Sequence, residues 1–231
     1  MEPYESLLQI YSIRKDCHSQ HIDVCEVDEH EGADATFHHL YIEDKGAQME
    51  KFDTEYVKGF KNTTENITPI LKDSNCDSVV FLKGNDGNLH VVFAELKSKH
   101  TADNLRKAFN QVIFTFFKYH QLLSVCEGYD LSNISMDFVL ACHAAEINDE
   151  AETYSDVQNE QILHEASEPK TFVADMLPLL MKKKVYPLKL KDLKGLGSMP
   201  FRKDILEKSI SLHLATSALP SDDTATIILN Y

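Results

Sequence analysis

The chain has 231 residues, a formal net charge of −14 at pH 7 and 43% hydrophobic residues. This length allows one large domain or two small ones, and the hydrophobic content is ordinary for a globular protein with a proper core. No apolar run reaches the roughly 18 residues that a membrane span needs, so no membrane partner is expected. The negative charge argues against tight non-specific binding of nucleic acid by the isolated chain.

The five cysteines are scattered along the chain, and none forms a Cys-x-x-Cys pair. The first residues lack the basic and apolar regions of a signal peptide. We therefore expect a reducing, cytoplasmic location in which buried cysteines serve packing.

The first third of the chain is expected to mix helices and strands. Apolar spacing predicts a helix over 3–15, and alternation predicts strands over 21–27 and 35–42. Two further helices are expected over 50–61 and 62–73.

The most informative segment is a predicted β-hairpin. Two apolar runs, 79–82 and 89–94, flank a stretch rich in turn-forming residues. A three-residue loop, Asn85-Asp86-Gly87, fits a type I turn followed by a left-handed glycine, and it pairs Gly84 with Asn88.

This register places three charged side chains on one face of the hairpin. Asp77 lies opposite Glu95, and directly opposed residues have Cβ atoms roughly 5 Å apart. Lys97 follows two residues later and points the same way. A two-residue turn would instead place Asp77 opposite Leu96 and separate the carboxylates. The first register is preferred because it also puts the large apolar side chains of both strands on the face of the trio.

Two carboxylates and a lysine at one point are suited to holding a divalent metal against a phosphodiester. Mg²⁺ prefers oxygen ligands at about 2.1 Å and keeps several waters. Asp77, Glu95 and the backbone carbonyl of Leu96 are the expected ligands of Mg²⁺ or Mn²⁺. Lys97 is expected to orient the attacking water and to offset developing negative charge.

At these residues the chain resembles the PD-(D/E)xK nuclease superfamily, which has the restriction-endonuclease-like fold. The matching residues are Asp77, Glu95-Leu-Lys97 and a helical pattern over 103–125, with Cys76 in place of the proline that names the superfamily. The resemblance covers about a fifth of the chain. It implies a magnesium-dependent deoxyribonuclease whose catalytic residues include Asp77, Glu95 and Lys97.

Two further site assignments come from the same resemblance. Some branches carry a Gln-x-x-x-Tyr pattern on the helix after the hairpin, which implies a catalytic role for Gln111, although position 115 is threonine rather than tyrosine. The family often adds an upstream glutamate, for which Glu55 and Glu65 are both candidates.

The expected fold is α/β, with a mixed central β-sheet flanked by helices and a restriction-endonuclease-like core. A buried strand over 136–142 follows the long helix, so strand, helix and strand form a right-handed crossover. The whole of 1–231 is expected to be one nuclease-like domain. Its parts are an N-terminal extension (1–50), a core (51–145) and a C-terminal helical extension (146–231).

The C-terminal part is strongly polarised in charge. The segment 146–168 has eight acids and no lysine or arginine, and it is expected to contain a surface loop. Helices are expected over 169–181, ended or kinked by Pro178, and over 205–214, followed by an edge strand over 224–229. The segment 182–203 has eight bases, for which a nucleic-acid contact and a solvated loop are equally open readings: Lys182, Lys183, Lys184, Lys189, Lys191, Lys194, Arg202 and Lys203.

Three functions are consistent with these features. The first is a DNA-cutting nuclease that works with a protein partner, such as a helicase or ATPase, as an effector in bacterial antiphage defence; the defence role follows from resemblance alone. The second is a catalytically silent subunit that keeps the nuclease fold for assembly or regulation. The third is a binding module in which the hairpin is ordinary core.

Overall fold

The computed structural model describes residues 3–11, 15–25, 36–52, 75–84, 87–163 and 169–229. The predicted helix over 62–73 and most of that over 50–61, together with Glu55 and Glu65, lie outside these ranges. The helices are α1 (Pro3–Tyr11), α2 (Ala102–Leu123), α3 (Ile147–Leu163), α4 (Leu177–Lys183) and α5 (Lys203–Leu206). Shorter turns are the 3-10 helices Leu131–Asn133 and Leu190–Asp192 and the π-helix Phe172–Met176.

One sheet holds the strands of the described chain. They are β1 (Lys15–Cys25), β2 (His39–Phe52), β3 (Ser78–Lys83), β4 (Leu89–Lys97), β5 (Ile134–Cys142), β6 (Val185–Lys189), β7 (Ser209–Thr216) and β8 (Thr224–Ile228). Their order is β1-β2-β3-β4-β5-β7-β6, and β8 pairs with β2. β1 to β4 are antiparallel, β4, β5 and β7 are parallel, and β6 returns antiparallel along β7. The predicted α/β class with a mixed sheet flanked by helices is confirmed.

The hairpin of β3 and β4 has the preferred register. Pairing runs from Ser78 opposite Ala94 to Lys83 opposite Leu89. The amide of Gly84 donates to the carbonyl of Asn88 at 3.1 Å, and Gly87 has a φ of 79°. The left-handed conformation that the turn requires is therefore taken by a residue without a Cβ.

The two faces of the sheet carry two separate apolar clusters because strand side chains alternate. Val91 and Phe93 of β4 belong to the cluster that α2 covers, whereas Val92 and Ala94 belong to the cluster on the other face. Glu95 and Lys97 continue the alternation of Val91 and Phe93. They therefore point to the α2 side, at the carboxyl end of β4.

Helix α2 begins and ends close to its predicted bounds. Its cap is Thr101, whose hydroxyl accepts from the amide of Asn104. Asp103 lies in the first turn, where it pairs with Arg106 and Lys107. A carboxylate in that position also faces the positive end of the helix dipole.

The C-terminal part differs from its prediction in several elements. Within the acidic segment, where a surface loop was expected, Ile147–Leu163 form helix α3. The helix expected over 169–181 is present as the π-helix Phe172–Met176 followed by α4, and Pro178 lies in the first turn of α4 rather than ending the helix. The predicted helix over 205–214 is wrong, because Ile210, Leu212 and Leu214 alternate along strand β7 and face the core. Strand β6 was not predicted. The region 146–231 contributes three strands to the sheet, so it is not a helical extension.

The N-terminal part also enters the sheet. Strand β1 begins at Lys15 and strand β2 continues to Phe52, so residues 50–52 are strand rather than the start of a helix. These residues form a strand because of a tertiary contact: Glu50 to Phe52 pair with Phe81 to Val79 of β3. The expected strand over 224–229 is present as β8, which pairs in parallel with the first half of β2.

Candidate active site at the open end of the hairpin

The three charged residues of the hairpin meet where β4 ends and β3 begins. The ammonium of Lys97 contacts Oε1 of Glu95, and the side chain of Lys97 is 21% exposed. The charge of Asp77 acts on Glu95, and Lys97 acts on both carboxylates. The sheet register therefore gathers the predicted trio at one point.

The backbone of Leu96 fixes the Asp77 carboxylate. Its amide donates to Oδ2 of Asp77 at 2.7 Å. The N–H and C=O of one strand residue point to the same neighbouring strand, because opposed residues exchange both bonds. The carbonyl of Leu96 is thus directed to the Asp77 side of β4, which is the side that the predicted third ligand must occupy.

Glu95 is a buried carboxyl group with an unsatisfied oxygen. The residue is 1% exposed, and its Oε2 has no donor among the described residues, so its hydrogen bond with the Asp77 carboxyl group requires a proton on Glu95. Burial, followed by the charge of Asp77, raises the pKa of Glu95 well above its ordinary value, and Lys97 opposes this shift. A buried polar atom without a partner costs free energy, so this oxygen needs a proton or a cation.

Asp77 has a milder electrostatic environment. Burial raises its pKa, while the Leu96 amide and the Lys97 ammonium lower it. Two carboxylates in one buried site disfavour each other's ionisation. A divalent cation reverses this effect, because it favours the charged form of both groups.

The donor set fits a hard cation bound to a substrate. In the described chain no group of three or more His, Cys, Asp and Glu side chains converges on one point. Two carboxylates and one carbonyl leave coordination positions for water and phosphate, as Mg²⁺ sites commonly do. A bound Mg²⁺ or Mn²⁺ would activate water and neutralise phosphate charge.

A polar stripe on α2 holds the start of β3 in place. Gln111 donates from Nε2 to the carbonyl of Asn75 at 2.9 Å, and Thr115 accepts from the amide of Cys76 at 2.7 Å. The fully buried Lys118 donates to Oδ1 of Asn75 at 2.6 Å. These three helix residues anchor the two residues that precede Asp77.

The polar stripe on α2 changes the role predicted for Gln111 and includes two residues, Thr115 and Lys118, that were not predicted. Gln111 is bonded to the strand backbone, so its observed contact is structural rather than to Lys97 or a phosphate. Thr115 and Lys118 follow it at i+4 and i+7, the spacing of one helix face. That spacing, on a face that otherwise carries apolar residues, was the available sequence signal.

The basic segment does not form one patch. Lys182, Lys183 and Lys184 close helix α4 beside the carboxyl ends of β4, β5 and β7. The other five bases follow β6 toward the opposite end, because β6 runs antiparallel to β7. Two of them are paired locally: Lys191 lies 3.2 Å from Glu207 and Arg202 lies 2.6 Å from Asp204. The eight predicted contacts therefore divide between the two ends of the sheet.

Comparison of the chain with models of known families, with curated proteins and with solved structures gives no match. None of the helices in the described ranges is long and apolar enough to span a membrane.

Proposed function

We propose that the chain is a metal-dependent nuclease that hydrolyses phosphodiester bonds of DNA. One observation carries the proposal: Asp77, Glu95 and Lys97 meet at the open end of the hairpin, where Glu95 is almost fully buried against the Asp77 carboxyl group. An ordinary core would not keep two carboxylates there, because burying them is costly.

Each residue has a distinct part in the proposed reaction. Asp77 and Glu95 hold Mg²⁺ or Mn²⁺, and the carbonyl of Leu96 supplies a third oxygen. The ammonium of Lys97 contacts Oε1 of Glu95. From there it orients the attacking water and offsets negative charge on the pentacoordinate phosphorus of the transition state. Gln111, Thr115 and Lys118 act at a distance by holding the segment before Asp77.

The direct test is cleavage of single- and double-stranded DNA and RNA with Mg²⁺ or Mn²⁺. Glu95→Gln and Lys97→Met should each lower the rate by about 10²-fold or more. Lys203→Met removes the same charge at the opposite end of the sheet and should keep activity. If all four proteins degrade nucleic acid equally, the activity belongs to a contaminant and the proposal is wrong.

A silent subunit that serves assembly remains a second candidate because of one observation. The acidic helix α3 packs beside the site: Thr153 donates to the carbonyl of His100 at 3.1 Å, just after β4. A nuclease with so acidic a neighbour is suited to a partner, such as a helicase or ATPase, that supplies basic surface. Absence of cleavage together with stable co-elution with such a partner would favour this candidate, and elution of the chain alone would remove it.

A further inference from the structure

Lys184 has an unusual backbone for its residue type. Its φ is 62°, and it is the one non-glycine residue with a positive φ among the residues described. It caps the carboxyl end of α4, where its amide donates to the carbonyl of Leu180. Helices commonly place glycine in this left-handed position because a Cβ is disfavoured there. A lysine at this position is locally unfavourable, which is more common at functional sites than elsewhere.

The ammonium of Lys184 reaches the row of the sheet that contains Lys97. Lys97 pairs with Cys142, and Cys142 pairs with Thr216, so the three residues are neighbours across parallel strands. The ammonium of Lys184 lies 3.4 Å from the hydroxyl of Thr216. Its charge also lowers the pKa of the Cys142 thiol, which burial otherwise raises.

These contacts set the distance between the two lysines. Adjacent strands lie about 4.8 Å apart, so Thr216 is roughly 10 Å from Lys97 along the row. The side chains of Lys97, Cys142 and Thr216 point to the α2 face of the sheet, because Cys142 belongs to the apolar cluster on that face and paired residues point the same way. The ammonium of Lys184 is therefore near the site but clear of the carboxylates.

We infer that Lys184 binds a backbone phosphate of the nucleic acid, neighbouring the phosphate that is cleaved at Asp77 and Glu95. This inference rests on the proposed nuclease function. Because DNA rises 3.4 Å per nucleotide along its axis on each strand, a separation of roughly 10 Å places this phosphate within about three nucleotides of the cleaved one. No described carboxylate forms an ion pair with this exposed ammonium, so its charge is available for a ligand.

The substitution Lys184→Gly distinguishes a structural role of the lysine from a binding role. A structural role predicts a lower midpoint of thermal unfolding. Lys184→Gly relieves the left-handed strain, so it should raise the midpoint of thermal unfolding. The same variant removes the phosphate contact, so it should weaken binding to nucleic acid. Lys184→Gln should also weaken binding, whereas Lys184→Arg keeps the charge and should bind like the unaltered protein.

The test is fluorescence anisotropy on a labelled duplex and a labelled single strand, in Ca²⁺ and over a series of NaCl concentrations. Lys184→Gln should lose about threefold to tenfold in affinity at low salt. Its slope of log affinity against log salt should fall by about one. Lys203→Gln carries the same charge change at the other end of the sheet and should leave both quantities unchanged.

Two results would overturn the inference while leaving the nuclease proposal intact. One is equal binding by Lys184→Gln, Lys203→Gln and the unaltered protein. The other is a lower unfolding midpoint for Lys184→Gly, which would show that the lysine stabilises the end of α4. A chain that cleaves no nucleic acid and binds none at low salt contradicts the proposed function, and the role of Lys184 is then wrong as well.

Discussion

Glu95 is the residue at which stability and the proposed function oppose each other most clearly. It is 1% exposed, it faces the charge of Asp77, and one of its oxygens has no donor among the described residues. Its pairing with Lys97 does not prevent the rise of its pKa. A residue that disfavours the metal-free fold yet stays charged when metal binds is typical of a functional site.

Replacing Glu95 by glutamine should therefore stabilise the metal-free protein at neutral pH. Because the folded pKa of Glu95 is raised above 4.5, its favourable contribution is complete below that pH and is lost as pH rises through the folded pKa. Glutamine stays neutral and removes this loss. In thermal unfolding with EDTA, the variant should exceed the unaltered protein at pH 8 and match it more closely at pH 4.

Metal should reverse that order. Mn²⁺ should raise the unfolding midpoint of the unaltered protein at pH 8 but leave Glu95→Gln nearly unchanged, since ligand binding stabilises only the fold that binds it. Equal shifts by Mn²⁺ in both proteins would contradict the assignment of Glu95 as a ligand.

At the scale of elements, the site depends on how α2 holds the start of β3. The hairpin register sets Asp77 opposite Glu95, but the segment before Asp77 is held by the helix. Thr115 accepts the Cys76 amide in buried surroundings and donates to the carbonyl of Gln111 at 2.8 Å. The position of the carboxylate is therefore determined by contacts between two elements that are distant in sequence.

Thr115→Val should cost about 1–3 kcal/mol of stability, because it leaves the buried Cys76 amide without its acceptor at nearly constant volume. Urea denaturation measures this difference. The cleavage rate should fall as well, since Asp77 loses its support. Thr115→Ser keeps the hydroxyl and is the matched control, so equal losses in both variants would show that the methyl group matters rather than the hydrogen bond.

At the scale of the whole molecule, charge is separated between helix α3 and the end of α4. Glu150 and Glu152 are exposed on the half of α3 that lies beside His100, while Lys182 to Lys184 lie at the carboxyl end of α4. A nucleic acid that approaches the site is therefore repelled by the acids of α3 and attracted by the lysines at the end of α4. Such electrostatic forces change association rates strongly at low salt and are screened at high salt.

Neutralising the acidic helix should therefore improve binding of nucleic acid. Glu150→Gln with Glu152→Gln should raise the association rate about twofold to tenfold at low ionic strength and have little effect near 0.5 M salt. Stopped-flow measurement gives the rate. Glu127→Gln, in the exposed turn after α2, is a control for net charge alone. An equal gain in that control would show that the position of the acids does not matter.

The sequence alone determined the hairpin register and the charged side chains that it gathers, because the turn and the strand alternation are local. A short loop, a glycine with positive φ and period-two alternation are sufficient to set the register that brings Asp77, Glu95 and Lys97 together. The long helix α2 and the buried strand β5 were also predicted from the sequence, since each has an apolar pattern long enough to indicate one structure.

Only the tertiary structure decided the remainder. Strand β7 was predicted as a helix although Ile210, Leu212 and Leu214 alternate, and pairing with β5 and β6 stabilises it as a strand. The partners of Gln111, Thr115 and Lys118 lie 36 to 43 residues earlier in the chain. Lys184 reaches the row of Lys97 only because β6 returns beside β7. Contacts of this kind depend on the pairing of distant segments, which local periodicity does not encode.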